Sequence, residues 1–86
     1  MNINTETFKT ANERASLKLN GILIDLRGDV ALVRRASSPY SDQGRSYVVT
    51  HYSTRNQCFY WSTYDLTLIE AVELFTEKTT AISERV

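Results

Sequence analysis

His51 and Cys58 are the only histidine and the only cysteine in the chain. Read as strands, residues 46–52 and 58–62 form a hairpin that carries both side chains on one face. A four-residue loop would set them opposite one another. A cysteine beside a histidine is the pairing that generates a thiolate nucleophile. The plainer account is a small buried thiol and a half-exposed strand imidazole, and the rest of the sequence favours it. There is no CxxC or HxxxH spacing, no Gly-rich phosphate loop, no nucleophile elbow and no catalytic carboxylate pair. No catalytic residue, metal or cofactor is expected, and the chain reads as a non-enzyme.

Binding chemistry is better represented. Tyr40, Tyr47, Tyr52, Phe59, Tyr60, Trp61 and Tyr64 crowd the middle of the chain, interleaved with Arg34, Arg35, Arg45 and Arg55. Aromatics beside arginines can stack on bases or anchor a protein interface. They can equally pack a core and pair across strands. Arg27-Gly28-Asp29 spells an adhesion tripeptide, but between two apolar runs it reads as a hairpin turn.

Charge is laid out by segment. Residues 27–62 carry Arg27, Arg34, Arg35, Arg45 and Arg55 against Asp29 and Asp42. Residues 63–86 carry Asp65, Glu70, Glu73, Glu77 and Glu84 against Lys78 and Arg85, and the first 26 residues cancel. The sheet half is therefore basic and Arg-only, suited to phosphate or carboxylate, and the helix half is acidic. The formal net charge is zero, which weighs against a dedicated nucleic-acid binder.

The elements that would position these groups follow from pattern. Thr67 and Glu70 form a capping box, and Leu68, Ala71, Val72, Phe75 and Ile82 follow at helical spacing. This predicts an amphipathic helix over residues 67–83 that buries Leu68, Val72 and Phe75. An isolated helix of that length is marginal and needs a sheet to lie on. Residues 5–16 suit a short helix with Phe8, Ala11 and Ala15 on one side, capped by Asn4 or Thr5 and stapled by Ile3. Asn20-Gly21 signals a turn or bulge. A three-residue loop at 27–29 would pair Leu26 with Val30 and Ile24 with Leu32. Residues 37–45, with Pro39 and Gly44, form the longest loop.

The expected fold is α+β: an antiparallel four-stranded meander of two hairpins over residues 17–62, with the C-terminal helix on one face and the short N-terminal helix beside it or on a partner. The whole is one small domain of 86 residues. Alternation puts Val48, Thr50, Tyr52, Phe59 and Trp61 on one face of the second hairpin, and Tyr47, Val49, His51, Cys58 and Tyr60 on the other. The Trp61 face is expected to turn inward.

One cysteine and a polar N-terminus without a signal-peptide core predict a cytoplasmic protein, and no apolar run is long enough to span a membrane. The expected function is that of a non-catalytic protein-binding module, a homodimer or an adaptor or inhibitor of a larger assembly. Its binding residues would be Tyr40, Tyr47, His51, Tyr60, Arg34, Arg35 and Arg45. Self-association is expected through that sheet face and the 37–45 loop rather than the outer side of the acidic helix. The rival is a nucleic-acid binder using the Arg-rich sheet half. The hairpin Tyr47-Val48-Val49-Thr50 and Phe59-Tyr60-Trp61, running into Ile69-Glu70-Ala71-Val72-Glu73-Leu74-Phe75, resembles small sheet-plus-helix proteins of phages and mobile elements and the arm-binding domains of some integrases. That resemblance covers residues 47–78.

Overall fold

The computed structural model describes residues 5–36 and 41–84, with side-chain surroundings given through residue 80. Tyr40, the Asn4 cap, the Ile3 staple and the placement of the Ile82 side chain lie outside what it describes. The fold is α+β. Helix α1 spans Thr5–Leu19, strands β1 to β4 span Gly21–Arg27, Val30–Arg35, Tyr47–Ser53 and Cys58–Leu66, and helix α2 spans Leu68–Glu84. The strands form one antiparallel meander in the order β1-β2-β3-β4. Among the described residues of the β2–β3 connection, Ser41–Gln43 form a 3-10 turn.

The two helices lie on opposite faces of the sheet. Ala11 and Ala15 of α1, both fully buried, join Leu23, Leu26, Ala31, Val33, Val48 and Tyr52, with Phe8, Leu19 and Phe59 at the margin. Alanines on the contact side let the helix backbone come close to the sheet. Ala71 and Phe75 of α2 join Val30, Leu32 and Val49, with Tyr47, Leu66 and Leu74 beside them. Strand β2 is thus buried on both faces, which is why Val30-Ala31-Leu32-Val33 shows no alternation. The expectation that α1 sits beside α2 or on a partner is corrected: it covers the face that α2 leaves open.

The turn at residues 27–29 is tighter than expected. Arg27 pairs with Val30, Leu26 with Ala31 and Asp25 with Leu32, so the turn has two residues, with Gly28 at φ 59. Gly at the first central position matches the right-handed twist of the flanking strands. A bulge at Ile24 absorbs the shift, so Leu23 and Leu26 still face the same core. Asn20, at φ 51, is the left-handed residue just past α1. Gly21 follows where a Cβ would lie 2.7 Å from the Arg34 carbonyl oxygen, so helix and strand join without a spacer.

The capping box forms in both directions. The Thr67 N–H donates to Glu70 Oε1 at 3.0 Å, and the Glu70 N–H donates to Thr67 Oγ1 at 3.2 Å. Hydrogen bonds from Thr67 hold the Glu70 carboxyl below its ordinary value, with Arg45 adding to the effect. A depressed carboxyl stabilises the fold above its unfolded value of 4.5 and loses that contribution as pH falls through the lower folded value. Fraying at the start of α2 is therefore expected only in acid.

The buried stripe of α2 is narrower than the sequence suggests. Phe75 is 6% exposed, whereas Leu68 and Val72 are 51% and 45% exposed. The burial of Phe75 predicts a loss of about 3–5 kcal/mol for Phe75→Ala in chemical denaturation. Leu68→Ala should cost under about 1 kcal/mol by the same measurement, because more than half of the side chain already meets water. Equal losses at both sites would contradict this placement of the stripe.

Candidate functional site

Strand β4 departs from regular alternation twice. Tyr60 pairs with His51 and Thr63 with Val49, so three residues of β4 span two of β3, and Thr63 to Leu66 opposite Val49 to Tyr47 repeats the excess. Each bulge carries a left-handed residue, Trp61 at φ 51 and Asp65 at φ 60. Bulky residues rarely take that conformation, which costs on the order of 1–3 kcal/mol and persists only where neighbours enforce it.

The neighbours at Trp61 are visible. Thr50, fully buried on the α1 face, has its hydroxyl 2.7 Å from Ser62 Oγ and donates to the Tyr60 carbonyl at 3.0 Å. One buried hydroxyl thus ties the residues on both sides of the bulge. The extra residue throws Trp61 out of the core to 78% exposure. This corrects the expectation that the Trp61 face turns inward as a unit. Val48, Thr50 and Tyr52 do face the α1 core, but the bulge breaks parity before Trp61 is reached.

Trp61 then meets the aromatics of the α2 face. Its ring sits edge-on to His51 at 5.6 Å and to Tyr60 at 5.1 Å, while His51 and Tyr60 stack at 5.3 Å. The Tyr60 hydroxyl donates to Asp29 Oδ2 in the β1–β2 turn at 3.0 Å. His51 Nδ1 is buried without a hydrogen-bond partner. The result is a rigid aromatic corner, held by a turn on one side and a buried threonine on the other.

The corner is open because of the path of α2. Ile22, Arg34, Tyr47 and Leu66 form one cross-strand row, at the end of the sheet where α2 begins. Val30, His51 and Tyr60 form another row at the far end. From Leu66 the helix runs over β3 and β2 toward Val30, a diagonal path. It leaves two corners of that face uncovered, the aromatic one on β3 and β4 and an aliphatic one on β1.

The other sequence-predicted site residues scatter. Tyr47 is half-buried against the α2 core rather than on a free face. Arg45 donates to Glu70 Oε1 at 2.8 Å and to the Asp65 carbonyl at 3.2 Å, a structural brace at the start of α2. Arg35 lies 3.9 Å from Asp65 and over the Tyr64 ring, with its Nε buried and unpartnered. Arg34 is exposed at the aliphatic corner. His51 faces Tyr60, not Cys58, which pairs with Ser53 and is exposed and free. The expected opposition of His51 and Cys58 is therefore corrected: six residues lie between them, so the four-residue turn at 54–57 places Cys58 opposite Ser53 and His51 opposite Tyr60, and the thiol is exposed rather than buried. Among the described residues no group of three His, Cys, Asp or Glu could hold a metal ion. Trp61, Thr50 and Asp29 were not singled out as site residues by sequence, and no residue type marks the bulge that assembles them.

Compared with protein families, curated proteins and solved structures, the chain matches none.

Two measurements test the corner. Thr50→Val keeps shape but strands the Tyr60 carbonyl and the Ser62 hydroxyl, so it should cost about 1–3 kcal/mol and shift Trp61 fluorescence in the folded state. Unchanged emission would show that the bulge does not depend on Thr50. Burial, then the Asp29 hydrogen bond, raises the Tyr60 phenol above its ordinary 10.0. A raised phenol stabilises the fold fully below pH 10.0 and loses that contribution as pH rises through the folded value. Tyr60→Phe should therefore flatten, in part, the loss of stability above about pH 10, to which Tyr52, also raised by burial, contributes as well.

Proposed function

We propose that the chain is a non-catalytic protein-binding module, an adaptor or inhibitor that docks on a larger assembly through the His51–Tyr60–Trp61 corner. The observation that carries this is Trp61 itself. A tryptophan 78% exposed, in a left-handed conformation that costs free energy, contributes little to the fold that a smaller residue would not. Trp and Tyr are the residues that most often dominate protein interfaces, because they bring large area at little loss of side-chain freedom. Its edge-on packing against His51 and Tyr60 lowers that loss further.

The distribution of arginines favours a protein partner over a nucleic acid. Arg14, Arg27, Arg35 and Arg45 each engage a neighbour within the chain. Arg34 and Arg55 lie at opposite ends of the sheet, so they form no continuous track for a phosphate backbone. The free Cys58 is compatible with a reducing, cytoplasmic setting. No helix among the described residues is long and apolar enough to cross a membrane.

The test places a photo-crosslinking residue at Thr63, exposed beside the corner. In the native host it should capture one discrete partner, and Trp61→Ala should abolish that capture while leaving the circular dichroism unchanged. Capture that persists in Trp61→Ala, or capture of nucleic acid instead, would overturn the assignment.

A further inference from the structure

The second uncovered corner has different chemistry. Ile22 and Ile24 on β1 are 64% and 45% exposed, and Leu68, Ile69 and Val72 on α2 are 51%, 71% and 45% exposed. The helix geometry joins these two sets. Glu70 reaches Arg45, whose guanidinium also binds the Asp65 carbonyl, so the Glu70 flank of α2 faces β4. Leu68 and Val72 each lie two residues from Glu70, about 200° around the helix, and so point the other way, toward β1. The corner is an aliphatic ridge beside a bare aliphatic shelf.

Strand addition is not how this corner is covered. β1 is an edge strand, yet the Leu23 N–H donates to Asn12 Oδ1 at 2.9 Å and the Leu26 N–H to Asp25 Oδ1 at 2.8 Å. Those side chains, with the bulge at Ile24, blunt the edge against pairing. Whatever covers the corner does so with side chains.

We infer that the occupant is a second copy of this chain, related by a two-fold axis that runs along α2. Such an axis turns the partner's ridge over and seats it on the shelf. Leu68 and Val72 of the two copies meet along a helix–helix seam, and Ile69 of each descends on Ile22 and Ile24 of the other. The same operation happens twice, as an isologous interface requires. Charge follows the same symmetry. Arg34 is the cross-strand partner of Ile22 on the shelf, and Glu73 lies one turn beyond Ile69 on the outer side of the ridge. The axis brings Glu73 of each copy to Arg34 of the other. Glu70 and Glu77 stay on the β4 flank, away from the contact, so they add no like-charge repulsion to it.

Area and net charge agree with this occupant. A stable interface takes roughly 800 Å² from each partner, about a seventh of the 5877 Å² this structure exposes. The contact draws on the exposed parts of Ile22, Ile24, Leu68, Ile69 and Val72 together with Arg34 and Glu73 at their margin. A formal net charge of zero sets no long-range repulsion between copies.

Sedimentation velocity of the full chain over a concentration series tests the proposal. A concentration-dependent dimer is expected. Val72→Asp should give a monomer with unchanged circular dichroism, since the side chain already meets water. Arg34→Glu and Glu73→Arg should each weaken the dimer about tenfold or more, and the double exchange should restore it. A monomer at every concentration would overturn the proposal, as would a dimer indifferent to Val72→Asp or a double exchange no tighter than the single variants. The contact is independent of the aromatic corner, so Trp61→Ala should leave the dimer intact. A dimer broken by Trp61→Ala but not by Val72→Asp would assign self-association to the aromatic corner instead. Crosslinking from Thr63 reports separately on the proposed external partner.

Discussion

Side-chain parity along β4 governs this molecule. A strand alternates faces without exception unless a residue is inserted, and β4 inserts two opposite β3. The first insertion removes Trp61 from a core that already holds Tyr52 and Phe59. The second, at Asp65, lets Leu66 rejoin the α2 core opposite Tyr47. Without either bulge, the face that β4 presents to α2 would change at one end of the strand. Both insertions also deform an edge, which keeps a neighbouring chain from extending the sheet there. Left-handed strain is thus compensated by Thr50 at one bulge and by the Arg45 hydrogen bond to the Asp65 carbonyl at the other.

The junction that follows sets the direction of α2. One residue, Thr67, separates strand from helix. Its capping hydrogen bonds with Glu70 fix the first turn, and Arg45 clamps Glu70 to the backbone of β4. These are exposed or half-exposed contacts, and each is weak alone. Together they leave the helix one exit, across β3 and β2. Ala71 and Phe75 then find Val49, Leu32 and Val30 beneath them. Burial supplies the stability of this layer, and the polar junction chooses the diagonal along which it is realised.

How much of this the sequence discloses depends on the kind of signal. The capping box and the Phe75 stripe are local, and Thr67, Glu70 and Phe75 behave as their types and spacing predict. The alanine side of α1 is equally local, and Ala11 and Ala15 are fully buried as that spacing requires. The β1–β2 and β3–β4 hairpins follow from their short turns, and joining them in sequence order gives the meander. What the sequence does not disclose is parity. A bulge at Ile24, Trp61 or Asp65 replaces no residue with a tell-tale type, and only Gly28 among the left-handed positions of the hairpins is a glycine. The error at Trp61 carried forward: an inward Trp61 implied an exposed Tyr47, whereas Tyr47 packs under the start of α2. Residue type identifies His51 and Tyr60 as candidates, whereas alternation alone places their companion Trp61 in the core.

The two open corners share one physical origin. A single helix of α2's width can cover about two strands of a sheet, since strands lie roughly 4.8 Å apart and a helix with its side chains is roughly 10 Å across. A four-stranded face crossed diagonally by one helix must leave two opposite corners bare. On the other face α1 packs mainly along β1 and reaches the β3–β4 turn through Arg14 and Gln57. The residues at the bare corners could have been polar at no loss to the core. Instead one corner carries Ile22, Ile24, Leu68, Ile69 and Val72, and the other carries Trp61 over His51 and Tyr60. Apolar surface left at positions the fold does not need it is the physical mark of contacts made outside the chain, and here the two marks differ in kind. Aliphatic surface bounded by Arg34 and Glu73 suits a partner with the same surface. A rigid aromatic cluster suits a partner with a pocket.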